Sequence, residues 1–145
     1  WEVYANAFEH SNSPVGVFSC GQRYPKQGKL GLTVLDFGLG IPAKVRRYKR
    51  ANIRSEEALR WAFERGNTTN PIMGRGMGLD LLRDFIKLNR GKLEIFSNDC
   101  HVVIDHTQDY YRRKTEFFKG TIINIILECD ERHYYLDKDN LIPRF

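Results

Sequence analysis

Apolar and polar residues recur along this chain with two different periods, and the switches between them mark out its elements. Val15 to Cys20 and Lys29 to Asp36 are short apolar runs rich in β-branched residues. The turn sequence Tyr24-Pro25-Lys26-Gln27-Gly28 lies between them, which predicts two antiparallel strands joined as a hairpin. From Ser55 the period lengthens. Glu56 and Glu57 stand where carboxylates favour a helix N-terminus, Ala58, Leu59, Ala62 and Phe63 supply one buried stripe, and Gly66 ends the helix. A polar loop from Asn67 to Met73 leads to a glycine-rich segment. Beyond it Leu79, Leu81, Leu82, Phe85, Ile86 and Leu88 define a second amphipathic helix, closed by Asn89-Arg90-Gly91.

Three further strands are predicted, at Lys92 to Phe96, His101 to His106 and Thr121 to Leu127. At the front of the chain, Glu2 to His10 reads as the end of a helix, stopped by Ser11-Asn12-Ser13-Pro14. The order helix, two strands, two helices, three strands predicts an α+β fold. Its helices form a layer on one face of a mixed, mostly antiparallel sheet.

Composition narrows the picture. With 145 residues and 41% hydrophobic content, the chain supports one domain over 1–145 with its own core. No apolar run is long enough to span a bilayer, so no membrane contact is expected and a cytoplasmic location is. Cys20, Cys100 and Cys129 lack metal-ligand spacing and read as reduced core thiols. Trp1 already lies inside a helical pattern, which reads as a domain truncated at its N-terminus.

The net charge of +5 raises nucleic acid as a partner. The densest cluster, Lys44, Arg46, Arg47, Lys49 and Arg50, lacks the aromatic interleaving expected of a single-strand binder. Tyr110-Tyr111-Arg112-Arg113-Lys114 combines rings with cations, but adjacent tyrosines on a strand face opposite ways. Nucleic acid is therefore set behind the reading that follows.

Four stretches carry candidate chemistry. Glu2, Asn6 and His10 recur every four residues and share one helix face. A carboxylate there can polarise an attacking water, and a neutral amide oxygen can ligate magnesium. Asp36 ends an apolar strand and is followed by Gly38 and Gly40, so the chain can turn tightly and let a planar ligand approach. A buried carboxylate at that point can accept from the exocyclic amine of adenine, where guanine offers a carbonyl. Gly74, Gly76 and Gly78 precede the second amphipathic helix and offer unpaired amides to a phosphate, with Arg75 able to add a charge-assisted contact. No Walker Gly-Lys-Ser or Gly-Lys-Thr follows, and no strand leads directly into the glycines as in a dinucleotide fold. Gly120-Thr121 is the fourth stretch.

Together these residues resemble the GHKL superfamily, the ATP-binding domain shared by gyrase B, the ninety-kilodalton heat-shock chaperone, sensor histidine kinases and MutL. Glu2 and Asn6 match its N box, which implies Asn6 as the magnesium ligand and Glu2 as the catalytic acid–base group. Asp36, Gly38 and Gly40 match the first glycine box, which implies that Asp36 reads the adenine amino group while Gly40 and Ile41 line the base pocket. Gly74, Gly76 and Gly78 match the second glycine box, and Gly120-Thr121 the late pair near the adenine. Thr68-Thr69-Asn70 ahead of Gly76-Met77-Gly78-Leu79, with Asn89 to Leu93 after it, is similar to bacterial histidine kinases and anti-sigma-factor serine kinases.

The resemblance implies the Bergerat fold, a two-layer α/β sandwich, with residues 43–73 as a lid over the nucleotide. It also implies ATP and Mg2+ as cofactors, and phosphoryl transfer to a protein phosphoacceptor or ATP hydrolysis in bacterial signalling. The nucleotide-binding set on this reading is Asn6, His10, Asp36, Gly38, Gly40, Ile41, Thr69, Gly74, Arg75, Gly76, Met77, Gly78, Leu79 and Thr121. None of His10, His101, His106 and His133 sits in the helical context of a histidine-kinase phosphoacceptor, so self-phosphorylation of that kind is not expected. A glutamate at Glu2 tilts the chemistry toward a hydroxyl acceptor or water, which need a base. The alternative is a nucleotide-dependent switch without useful catalysis.

Overall fold

A computed structural model describes residues 13–69 and 78–130 of the chain. Strands β1 (Val17–Tyr24) and β2 (Lys29–Asp36) form the predicted hairpin. Their connection is a short 3-10 turn over Pro25–Gln27, closed by Gly28 at φ +61° in the left-handed region that glycine enters freely. Three helices follow: α1 (Ile41–Lys49), α2 (Ser55–Ala62) and α3 (Gly78–Asn89). Two long strands, β3 (Lys92–Asp105) and β4 (Asp109–Glu128), complete the described chain.

The sheet has the order β1-β2-β4-β3, and every described pairing is antiparallel. Two of the three strands predicted after the second amphipathic helix are thus parts of one longer strand, β3, and His106 lies in its turn. What masked the continuity is an irregularity at Asn98, where φ is +54° and the register with β4 shifts on both sides. The extra residues lie in β4, which runs from Thr121 to Arg113 while β3 runs from Ser97 to Cys100, so polar Ser97, Asn98 and Asp99 interrupt the apolar run of β3 without ending the strand.

Alternation fixes which face is buried. Val34, Ile123 and Ile95 stand in one cross-strand row, as do Leu32, Ile125 and Leu93 in the next. Against this face pack Leu59 and Phe63 from the α2 region and Ile86 from α3, with Cys100, Val102 and Ile104 from the far half of β3 extending the same core. Each such fully buried large side chain contributes roughly 1.5–3 kcal/mol of transfer free energy. The opposite face carries a Thr33–Asn124 hydrogen bond of 2.8 Å and His101, which stacks on Phe96 at 4.0 Å and bonds Glu94 at 2.8 Å. The described residues therefore form an α+β arrangement with helices on one face of an antiparallel sheet.

α2 matches its prediction closely: the Glu57 carboxylate accepts from the Arg54 amide at 3.4 Å and from Arg54 Nε at 3.2 Å at its start, and Ala58, Leu59 and Phe63 are buried. α3 ends as expected, with the Asn89 side chain pairing to the backbone of Glu128 in both directions at 2.8 and 3.0 Å. Helix α1 and helix α2 occupy the first part of the segment expected to act as a lid, and both are packed, with Val45 and Leu59 buried. The cysteine expectation needs correction. Cys100 is a core thiol, but Cys20 and Cys129 are exposed, because β1 is an edge strand and Cys129 follows the end of β4. Among the described residues no helix is long and apolar enough to cross a membrane. The helix expected at Glu2 to His10 lies outside the described residues.

Candidate functional site

The site begins where the central strand β2 stops. Asp36 is the last residue of β2 and pairs across the sheet with Thr121 of β4, and both are buried. A charged side chain at this depth needs donors. The Gly38 amide donates to Asp36 Oδ1 at 2.8 Å, which also turns the chain out of the strand.

The loop that follows is pinned by β3 and β4. Gly40 has φ +81°, and a β-carbon on it would crowd the Asn98 side chain and approach the Gly120 carbonyl oxygen to 2.8 Å. Gly120 in turn lies against the Asp36 backbone. The absence of a side chain at both positions is what allows three backbone segments to meet.

Two side chains from β3 then finish the join. Ser97 Oγ accepts from the Ile41 amide at 2.8 Å, donates to the Gly120 carbonyl at 2.9 Å and lies 2.9 Å from Thr121 Oγ1. Asn98 Oδ1 accepts from the Ala43 amide at 3.1 Å while its Nδ2 donates to the Leu39 carbonyl at 2.9 Å. Helix α1 has no cap from its own sequence, since Gly40 stands at that position and Pro42 follows. Its first amides are satisfied instead by residues more than fifty positions later in the chain.

The electrostatics centre on one pair. Burial raises the Asp36 carboxyl above its ordinary range, while the Gly38 amide, the Lys44 charge and the Thr121 amide pull it back. Lys44, half-buried in the first turns of α1, is pushed down to about 8 by burial, which the Asp36 charge partly offsets. A poorly solvated carboxylate and a poorly solvated ammonium thus face one region at the end of β2. A ligand that donates to the carboxylate and carries negative charge elsewhere suits such a pair.

Comparison with models of known protein families gives no match, and comparison with curated proteins gives none either.

Of the residues singled out in the sequence, the fold brings Asp36, Gly38, Gly40, Ile41 and Thr121 into one contiguous group. Leu79, in the first turn of α3, and Ile41 both pack on the same core cluster, so the start of α3 sits on the same layer. Gly78 is the first residue of that helix. Thr69 is half-buried beyond α2 and makes no hydrogen bond to this group among the described residues. Glu2, Asn6, His10, Gly74, Arg75, Gly76 and Met77 lie outside the described residues. Among those described, no cluster of His, Cys, Asp and Glu could hold a metal ion.

Sequence reasoning missed Ser97, Asn98 and the role of Lys44. Ser97-Asn98 reads as the polar end of a strand, and only the bulge and the β3–β4 register aim it at α1. Lys44 reads as one member of a solvated basic run. The one signal available was its place four residues after Gly40, inside the first turns of a helix whose buried positions are Pro42 and Val45.

Proposed function

We propose that this chain binds ATP with magnesium as a GHKL-type domain of the Bergerat fold in a bacterial signalling protein. On this reading it uses the nucleotide for phosphoryl transfer to a protein partner or for hydrolysis. The observation that carries the reading is the buried Asp36 carboxylate at the end of a central strand, backed by Gly38, Gly40 and Thr121 as the resemblance implies. Asp36 would accept a hydrogen bond from the adenine amino group, and Ile41 and Thr121 would bound the base. Gly74 to Gly78 would meet the phosphates at the start of α3, with Arg75 adding charge and Met77 and Leu79 backing the loop.

Bound magnesium would neutralise phosphate charge, and Asn6 is the residue assigned to hold it. Glu2 would take the proton of the attacking hydroxyl or water. Residues 43–73 would cover the nucleotide, with α1 and α2 forming the packed part of that cover.

The test is titration of the chain with a non-hydrolysable ATP analogue, with and without magnesium, against the guanine analogue. We expect magnesium-dependent binding that prefers adenine and that Asp36→Asn weakens about tenfold or more, the loss of one charge-assisted hydrogen bond. Equal binding of the guanine analogue, or an unaffected Asp36→Asn protein, sinks the assignment. Turnover separates an enzyme from a switch. Glu2→Ala should keep affinity and lose hydrolysis if Glu2 is the base.

A further inference from the structure

The basic run in α1 divides, once folded, into inward and outward cations. Arg46 is structural: its Nε donates to the Ile53 carbonyl and its Nη2 to Ser55 Oγ, each at 2.7 Å. Lys44 faces Asp36 electrostatically. That leaves Arg47, Lys49 and Arg50, all exposed, and none of them has an ion-pair partner among the described residues. No carboxylate occurs in the chain between Asp36 and Glu56 to balance them.

Beside Lys49 lies a pair of rings contributed by two helices. Tyr48 of α1, 48% exposed, packs on Trp61 of α2 with centroids 5.6 Å apart and planes tilted by 33°. Lys49 Nζ sits 4.9 Å from the centre of the Trp61 ring. Cations in the last turn of a helix favour its dipole, which accounts for Lys49 and Arg50 but gives no reason for two large rings to share the surface with them. Tyr48 and Lys49 are exposed with Trp61 half-buried against them, and Trp, Tyr and Arg are the residue types that concentrate binding energy at protein interfaces.

We propose that this face, formed by Arg47, Tyr48 and Lys49 of α1, Arg50 just past its end and Trp61 of α2, docks an acidic segment of a protein partner. Charge complementarity selects acidic residues, and the ring pair selects a partner that also offers apolar side chains. A nucleic acid fits less well. Trp61 is already covered by Lys49 and Tyr48, so the rings do not offer a free stacking platform, and three cations within one helical turn neutralise few phosphates.

Fluorescence anisotropy of the full chain tests this, with a fluorescein-labelled peptide of alternating glutamate and leucine as probe and a labelled oligothymidylate as comparison, in the absence of nucleotide. Peptide binding should weaken with added salt, and should fall about tenfold or more in Arg47→Glu/Arg50→Glu, as for loss of a hot spot. The Arg23→Glu/Lys26→Glu protein carries the same change in net charge at the exposed β1–β2 hairpin and should stay within about twofold of the parent. Trp61→Ala should weaken the peptide without changing net charge. If it unfolds by circular dichroism, Tyr48→Ala, on the exposed side of the ring pair, takes its place. Absence of peptide binding, equal loss in the hairpin control, or tighter binding of the oligonucleotide at the same salt overturns the proposal. The assay contains no ATP, so its failure and failure of the nucleotide reading are distinguishable.

Discussion

Gly120 and Asp36 lie back to back: a β-carbon on Gly120 would overlap the Asp36 carbonyl oxygen and come within 2.9 Å of the Phe37 Cα. Both neighbours are backbone, which cannot swing aside as a side chain can, and the φ of +129° at Gly120 is itself one that other residues avoid. The site and the fold therefore share this contact.

Gly120→Ala should destabilise the protein by roughly 2–5 kcal/mol, the sum of a disfavoured φ and an overpacked contact. Gly28→Ala is the informative comparison, because at φ +61° its added carbon would meet only the Cys129 carbonyl at 3.7 Å, an ordinary separation. Denaturant melts of the two variants would measure the difference. Similar midpoints would refute the overlap argument.

Ser97→Ala should cost about 1–3 kcal/mol, because it leaves the Ile41 amide and the Gly120 carbonyl without their partner. Hydrogen exchange at Ile41 and Ala43 should rise in Ser97→Ala and Asn98→Ala respectively, each side chain capping one of those amides. Exchange that rises equally throughout the sheet would instead mean general loss of stability.

Lys44 predicts a pH dependence with a definite sign. Its folded value of about 8 lies below the ordinary 10.5, so between these limits the unfolded chain holds a proton that the folded chain has released. Lys44 therefore makes stability rise with pH through that window and contributes its full penalty below it. Cys100 and Tyr111, both raised to about 12, act in the opposite sense at alkaline pH. The measurement is consequently a difference: the stability of the parent relative to Lys44→Met should increase from pH 8 to 10.5. A flat difference would show that Lys44 is fully solvated.

The cysteines should react in two classes. Cys20 and Cys129 are exposed, whereas Cys100 is buried and its thiol is pushed up to about 12 mainly by that burial, with the Glu56 and Asp99 charges adding to it. A thiol reagent at neutral pH should label two sites quickly and the third only after denaturation. Mass spectrometry showing Cys100 modified at the same rate would contradict its place in the core.

Much of this protein was legible in its sequence because local periodicity reports burial directly. β2, α2 and α3 follow from spacing alone, and Asp36 with Gly38 and Gly40 stands out as a charge and two flexible joints at the end of an apolar strand. α1 was not legible as a helix, since only Pro42 and Val45 are fully buried in it and five cations in ten residues look like solvated surface. The long β3 was hidden by the polar stretch Ser97 to Asp99 opposite the bulge in β4, and the exposure of Cys20 and Cys129 by their positions at a sheet edge and just past a strand end.

What only the tertiary structure decided is who meets whom. The β3–β4 register carries Ser97 and Asn98 to the start of α1, the β2–β4 register sets Gly120 behind Asp36, and the packing of α1 on α2 leaves Trp61 beneath Lys49. These pairs are separated by twelve to more than eighty residues, so no local pattern encodes them. The strand pairs arise because a sheet can bury its apolar rows in only one register, and each polar residue is then carried to whatever neighbour that register supplies. The ring pair arises because two helices must bury their apolar stripes against that same sheet.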